Sequence, residues 1–213
     1  MKNVNSTRLF VVIQGTIGGL AAMVHGINAI FLGNVPTAGL VLDGKTGAFT
    51  VLPTYLVSGI ATVCVSLALI LWTIGFIHRK NGPAVFLGIF ILLFLVGGGI
   101  AQIAFFLIAW AVSTRMNQPP DWWKSAKARN ARNRWARAWP AFFASGYLFL
   151  LIGIAIWLIA TPPGTPFEGH STAYLVCWFS LIAGVILQVF TIVSGFARDI
   201  LRQELRGKYA PGH

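Results

Sequence analysis

What most constrains this chain is where its charges are not. Residues 9–32, 53–77, 83–112, 140–160 and 172–197 contain no Lys, Arg, Asp or Glu. A helix needs about 20 apolar residues to cross a bilayer, and each of these five segments is long enough. All sixteen basic residues and all five acids (Asp43, Asp121, Glu168, Asp199, Glu204) fall between the segments or at the ends. Insertion energetics demand this segregation, since a charge at the bilayer centre costs about 3 kcal/mol on translocon scales. Only 10% of residues are charged and mean hydropathy is +0.75, whereas a soluble domain carries about 25% charged residues. The fold class that follows is all-α: a polytopic integral membrane helical bundle of five apolar segments, read as one membrane domain over residues 1–213.

The net charge of +11 and the pI near 10.5 first suggest nucleic acid. That charge is confined to short connections between apolar runs, which makes nucleic acid an unfavoured partner. The first run, 9–32, is longer than the roughly 7–15 residues of a signal-peptide core, so it is expected to be a retained first helix. Cys64 and Cys177 lie inside apolar segments without a CxxC or metal-ligand spacing, so neither a disulfide framework nor a zinc site is expected. Pro53, Pro83 and Pro140 stand at segment starts, where a helix tolerates proline. Residues 161–171 (TPPGTPFEGHS) are all turn and breaker types. Residues 33–52 form a longer loop with Pro36, Gly39, Gly44 and Gly47.

Lysine and arginine asymmetry sets orientation. If all five segments cross, the basic loop 113–139 and the carboxyl terminus are cytoplasmic, with twelve basic residues inside and Lys2, Arg8, Arg79 and Lys80 outside. A rival arrangement exists. Segment 83–112 is 30 residues, about 45 Å as a helix against a core of about 30 Å. Its centre reads Gly97-Gly98-Gly99, a candidate hinge, because glycine lets a helix break or turn. If that segment enters and leaves on one side, both termini and His78–Lys80 join the loop in the cytoplasm, and only Lys45 is outside. Either way, the location expected is the inner (plasma) membrane.

Polar residues inside the segments are few. Gln14, Gly18, Ala21, His25 and Asn28 fall within about 80° of arc at 100° per residue. Beside them run Gly18, Ala22 and Gly26, the small-xxx-small spacing that lets helices approach closely, and self-association through this face is expected. Ser58, Thr62, Ser66 and Thr73 form a second stripe; Gly99 and Gln102 align with Gly88 and Phe106 in a third; Cys177, Gly184, Gln188, Thr191 and Gly195 form a fourth. The candidate polar interior is therefore Gln14, His25, Asn28, Gln102 and Gln188. Hydrogen bonds between helices, at about 0.6 kcal/mol each, explain any one of them better, and the cluster about equally well.

Several chemistries are disfavoured. Two-histidine haem ligation lacks a second histidine at the depth of His25. Ion-coupled transport lacks an intramembrane carboxylate. No HExxH or nucleophile motif is present. No catalytic residue, metal or cofactor is assigned, and an enzyme is not expected.

The stretch PPDWWKSAKARNARNRWARAWP, residues 119–140, gathers six basic residues and four tryptophans. At 100° per residue, Ala128, Ala131, Trp135, Ala138 and Trp139 share one arc. The expectation is an amphipathic helix, 121–139, lying on the cytoplasmic face, with Lys124, Lys127, Arg129, Arg132, Arg134 and Arg137 against anionic lipid head groups. The functional expectation is a binding or transport component for a small neutral or weakly polar solute. The alternative is a non-transporting accessory or assembly subunit that docks to a larger membrane complex or anionic lipid. An intramembrane lipid enzyme would require a His25–Ser pair at hydrogen-bond distance.

Overall fold

A computed structural model describes residues 5–41, 48–99, 102–116, 118–125, 129–160 and 172–209. Described residues are helical or irregular, with no strand among them and one isolated bridge between Pro36 and Thr54. Contacts divide the chain into two compact units, Met1–Gln118 and Pro119–His213. Four helices are long and apolar enough to cross a membrane: Ser6–Phe31, Tyr55–Gly75, Arg129–Ile156 and Thr172–Leu205.

The first unit holds α1 (Ser6–Phe31), α2 (Tyr55–Gly75), α3 (Gly82–Val96) and α4 (Ile103–Arg115). Thr54 caps α2, its hydroxyl accepting the Val57 N–H at 3.5 Å, the N-cap role that β-region Thr serves well. Helices α1 and α2 are antiparallel, because Gly26 meets Gly59 near one end of the pair while Gly15 meets Thr73 near the other. The small residues of α1 are consumed by this packing. Gly18 lies under the Phe106 ring, Ala22 is fully buried, and Gly26 abuts Gly59 and Thr62. Small side chains open a close approach, and within this chain the occupants of that face are α2 and α4. The α2 stripe behaves as its spacing requires, with Ser58, Thr62, Ser66 and Thr73 all buried.

The third apolar segment is not one helix. It stops at Val96 and restarts at Ile103. Gly97 has φ 116° and Gly99 φ 75°, both in the left-handed region that side chains disfavour and glycine enters freely. The Val96 carbonyl accepts from Ser58 Oγ at 2.6 Å and Thr62 Oγ1 at 3.1 Å, so α3 ends level with the first turns of α2. Phe106, in the first turn of α4, packs instead on Phe90 and Phe86, at 5.0 and 6.2 Å between ring centres, and on Gly18 in mid-α1. The chain therefore doubles back, and α4 descends beside the α3 it has just left. The stripe drawn through Gly88, Gly99, Gln102 and Phe106 assumed an unbroken helix, and the break removes that register.

The second unit holds α5 (Asp121–Lys124), α6 (Arg129–Ala160) and α7 (Thr172–Tyr209). Helices α6 and α7 form an antiparallel pair: Gly153 faces Leu181, Gly146 faces Leu187, and Arg132 reaches Glu204. Buried residues on α6 recur at Arg132, Ala136, Trp139, Gly146, Leu150 and Gly153, the three- and four-residue steps of a helix–helix seam. On α7, Cys177, Gly184, Gln188, Thr191 and Gly195 are all buried, as their stripe implies. Pro140 was expected at the start of the fourth segment, but it lies inside α6. Ala and Arg are strong helix formers, and the seam on α7 continues past Ala197 to Ile200 and Glu204. Together these outweigh the one hydrogen bond that an interior proline removes. Residues 129–139 are thus packed against α7 and run without a break into the apolar stretch beyond Pro140, as one long helix.

Candidate functional site

The first unit contains a small cavity at the end where α3 stops. His25 enters from α1, Tyr55 and Ser58 from α2, Thr37 and Thr50 from the loop between those helices, and Gly97 from the break. The loop is held over this end by backbone and side-chain bonds. Val51 N–H donates to the Leu95 carbonyl at 2.9 Å, one of those left open by the termination of α3. Thr37 Oγ1 donates to the Leu52 carbonyl at 2.6 Å, and the Leu52 N–H donates to Thr50 Oγ1 at 3.1 Å. The Thr50 and Ser58 hydroxyls lie 3.2 Å apart.

Among the described residues the lining is neutral and rich in hydroxyls, with no Asp, Glu, Lys or Arg. Carbonyl groups at the α3 terminus contribute partial negative charge to it. The space offers about 10 Å³ to the centre of a water molecule, room for roughly one water. Gly97 is required there twice over: its φ suits glycine, and a Cβ at that position would meet Ser58 Oγ at 2.5 Å.

Two sequence outliers, the lone intramembrane histidine and the glycine triplet, thus converge on one cavity. Of the triplet, Gly97 lines the space, Gly98 bonds back to the Leu93 carbonyl at 2.9 Å, and Gly99 faces the Gln102 side-chain amide. The other candidates are not gathered there. Gln14 is buried lower on α1, Asn28 is exposed, and Gln102 is partly buried at the foot of α4. Gln188 is buried in the second unit. Thr37, Thr50 and Tyr55 carry no helical periodicity in the loop and at its edge, so only the fold brings them to His25.

Ser58 shares the cavity with His25 but donates its one hydroxyl proton to the Val96 carbonyl. A serine nucleophile must instead give that proton to a base, so this geometry does not prepare Ser58 for attack. Among the described residues, no group of three His, Cys, Asp or Glu side chains converges on a point that could hold a metal ion.

The basic stretch resolves into unlike members. Lys124 pairs with Asp121 at 2.7 Å, both exposed. Arg129, Arg134 and Arg137 are exposed along α6, and Lys127 lies outside the described residues. Arg132 is 2% exposed; it donates from Nη1 to the Trp123 carbonyl at 2.8 Å and from Nη2 to both Glu204 oxygens at 2.7 Å. The sequence grouping placed Arg132 against lipid head groups, whereas the structure turns it inward as the polar rung of the α6–α7 seam. Comparison of the chain with known protein families, characterised proteins and solved structures finds no match.

Proposed function

We propose that the protein is a membrane binding or permeation component for a small neutral, hydrogen-bonding solute, with its site at the helix break. The observation that carries this is the placement of the non-helical backbone at Gly97–Gly99 beside His25, Tyr55, Thr50 and Ser58. Irregular backbone at membrane depth is tolerated where protein shields it or where it lines a polar cavity, and discontinuous helices are where solute sites are commonly built. The single-water volume is the room left between the described residues, with Thr37 and Thr50 of the loop against it. Proteoliposomes tested with water, urea and glycerol check the proposal. Wild-type protein is expected to raise the flux of at least one of them, with His25→Leu and Thr50→Val, both in the lining, returning it toward background. Wild-type vesicles no more permeable than empty ones to all three remove it.

The orientation proposed with this function has four crossings, α1, α2, α6 and α7, and a re-entrant α3–α4 hairpin. Partial desolvation, with the Arg8 and Arg79 charges close by, holds His78 below its usual pKa, which sets the start of α1 beside the turn after α2. The doubling back of α4 carries Arg115 toward that same end. All described basic residues of the first unit then share one side, the cytoplasm by the positive-inside rule. A membrane-impermeant maleimide on single cysteines at Lys80→Cys and Arg134→Cys, in a cysteine-free background, is expected to label both from the cytoplasm. Labelling of position 80 from outside restores five crossings.

The accessory-subunit reading draws on the same small cavity, since a docking subunit needs no open pathway. It requires a stoichiometric membrane partner on purification. Gly18 cannot be the residue that tests it, because that glycine is already covered by Phe106 within the chain.

A further inference from the structure

We propose that Arg198 and Trp139 form a binding site for the phosphate of an anionic phospholipid, at the level where α6 and α7 leave the hydrocarbon. The inference rests on those two helices spanning the bilayer, and it is independent of the solute reading. Trp139 directly precedes the apolar run that begins at Pro140, and Arg198 directly follows the run that ends at Ala197. The two side chains are stacked, with the guanidinium carbon 4.5 Å from the indole centre. This rung therefore marks the boundary on both helices, the depth of lipid phosphates and ester groups.

Both partners are short of acceptors. Trp139 is 6% exposed, and its indole N–H has no acceptor among the described residues. A buried donor left unpaired is costly, and such a group calls for an occupant. Arg198 has the indole face as its partner, but no ion pair or hydrogen bond among the described residues. Stacking fixes the plane of a guanidinium and leaves its N–H edge free, the edge that fits phosphate oxygens in a bidentate fashion. Arg202 lies one turn further along the same face of α7, and like charges at that spacing repel. Asp199, next to Arg198 in sequence and buried, offsets part of its charge. What the rung lacks among the described residues is acceptors, for the Trp139 indole N–H and for the guanidinium edge.

The occupant is a lipid because ring surface continues from the rung into the apolar run. Phe143 stacks on Trp139 with ring centres 4.9 Å apart, and Tyr147 follows 5.0 Å from Phe143, both partly exposed, a surface on which acyl chains can lie. Arg134 and Arg137, exposed on α6, add the diffuse attraction that basic residues exert on an anionic leaflet. They make no rung with an aromatic ring, which separates general attraction from a defined site.

The test uses the full chain in a neutral detergent, with lipid binding followed by native mass spectrometry and by the shift in unfolding temperature. Phosphatidylglycerol is expected to bind at least about tenfold more tightly than phosphatidylcholine. Arg198→Gln is expected to weaken phosphatidylglycerol by about tenfold or more, the scale of one lost hydrogen bond to a charged group. Trp139→Phe keeps an aromatic face and removes the N–H, and it is expected to weaken binding several-fold. Arg134→Gln is expected to change it less than about twofold. Equal losses in Arg134→Gln and Arg198→Gln would replace the site with diffuse charge. An equal temperature shift from inorganic phosphate would make it a soluble-anion site and overturn the lipid assignment, as would equal binding of the two lipids.

Discussion

Removing Glu204 is expected to destabilise the α6–α7 pair by about 3 kcal/mol, since breaking a buried ion pair leaves its partner's charge uncompensated. Arg132 is 2% exposed and among the described residues has two acceptors, Glu204 and the Trp123 carbonyl. Glu204→Ala takes away the one that carries charge. The Glu204 side chain is itself 47% exposed, so water reaches its oxygens and holds the effect at the lower end for buried pairs. Urea unfolding in detergent, followed by tryptophan fluorescence, measures the loss. Pairing Arg132→Met with Glu204→Leu is expected to recover most of it, because an apolar rung has no desolvation cost to offset. A Glu204→Ala variant within about 0.5 kcal/mol of wild type would mean that the pair is an ordinary surface contact.

Adding one methyl at Gly59 is expected to be as damaging. A Cβ there would lie 2.5 Å from the Gly26 carbonyl oxygen and 2.7 Å from the Ile30 nitrogen. Both are backbone atoms of α1, so no side chain can rotate away, and the two helices must separate. Overpacking costs about 1–3 kcal/mol, and Gly59→Ala belongs at the top of that range. Gly88→Ala is the matched comparison. Nothing lies within 4 Å of its Cβ position, and replacing a mid-helix glycine gains about 0.5–1 kcal/mol. The two substitutions should therefore move the unfolding midpoint in opposite directions, and a shared direction would contradict the packing of α1 on α2.

These contrasts explain what could be read from residues alone. Apolar run lengths place α1 and α2 to within three residues at each end, because lipid solvation acts locally on every side chain. The break at Gly97 is legible for the same reason, since a glycine triplet lowers the cost of a left-handed turn wherever the chain needs one. Pairings distant in sequence are another matter. Glu204 follows Arg132 by 72 positions, and no periodicity links them, so Arg132 looked like any other exposed base. Pro140 misled for a related reason: its local preference marks a helix start, and packing against α7 overrides that preference. The cavity lies between these cases. His25 and Gly97 stood out singly, but only the descent of the 33–54 loop brings Thr37 and Thr50 to them.

Helix α7 runs unbroken for 38 residues, about 57 Å at 1.5 Å per residue, against a hydrocarbon layer of about 30 Å. In the proposed crossing, with its boundary at Arg198, the stretch from Arg198 to Tyr209, about 18 Å at that rise, lies beyond the lipid in one piece with the part inside. A rod of that kind acts as a lever. A change of tilt by about 10° within the bilayer, the sort that thickness mismatch produces, swings the far end sideways by about 3 Å. Because Arg132 and Glu204 bind α6 to the same rod, both helices would move together, and bilayer thickness becomes a mechanical input delivered at the aqueous end.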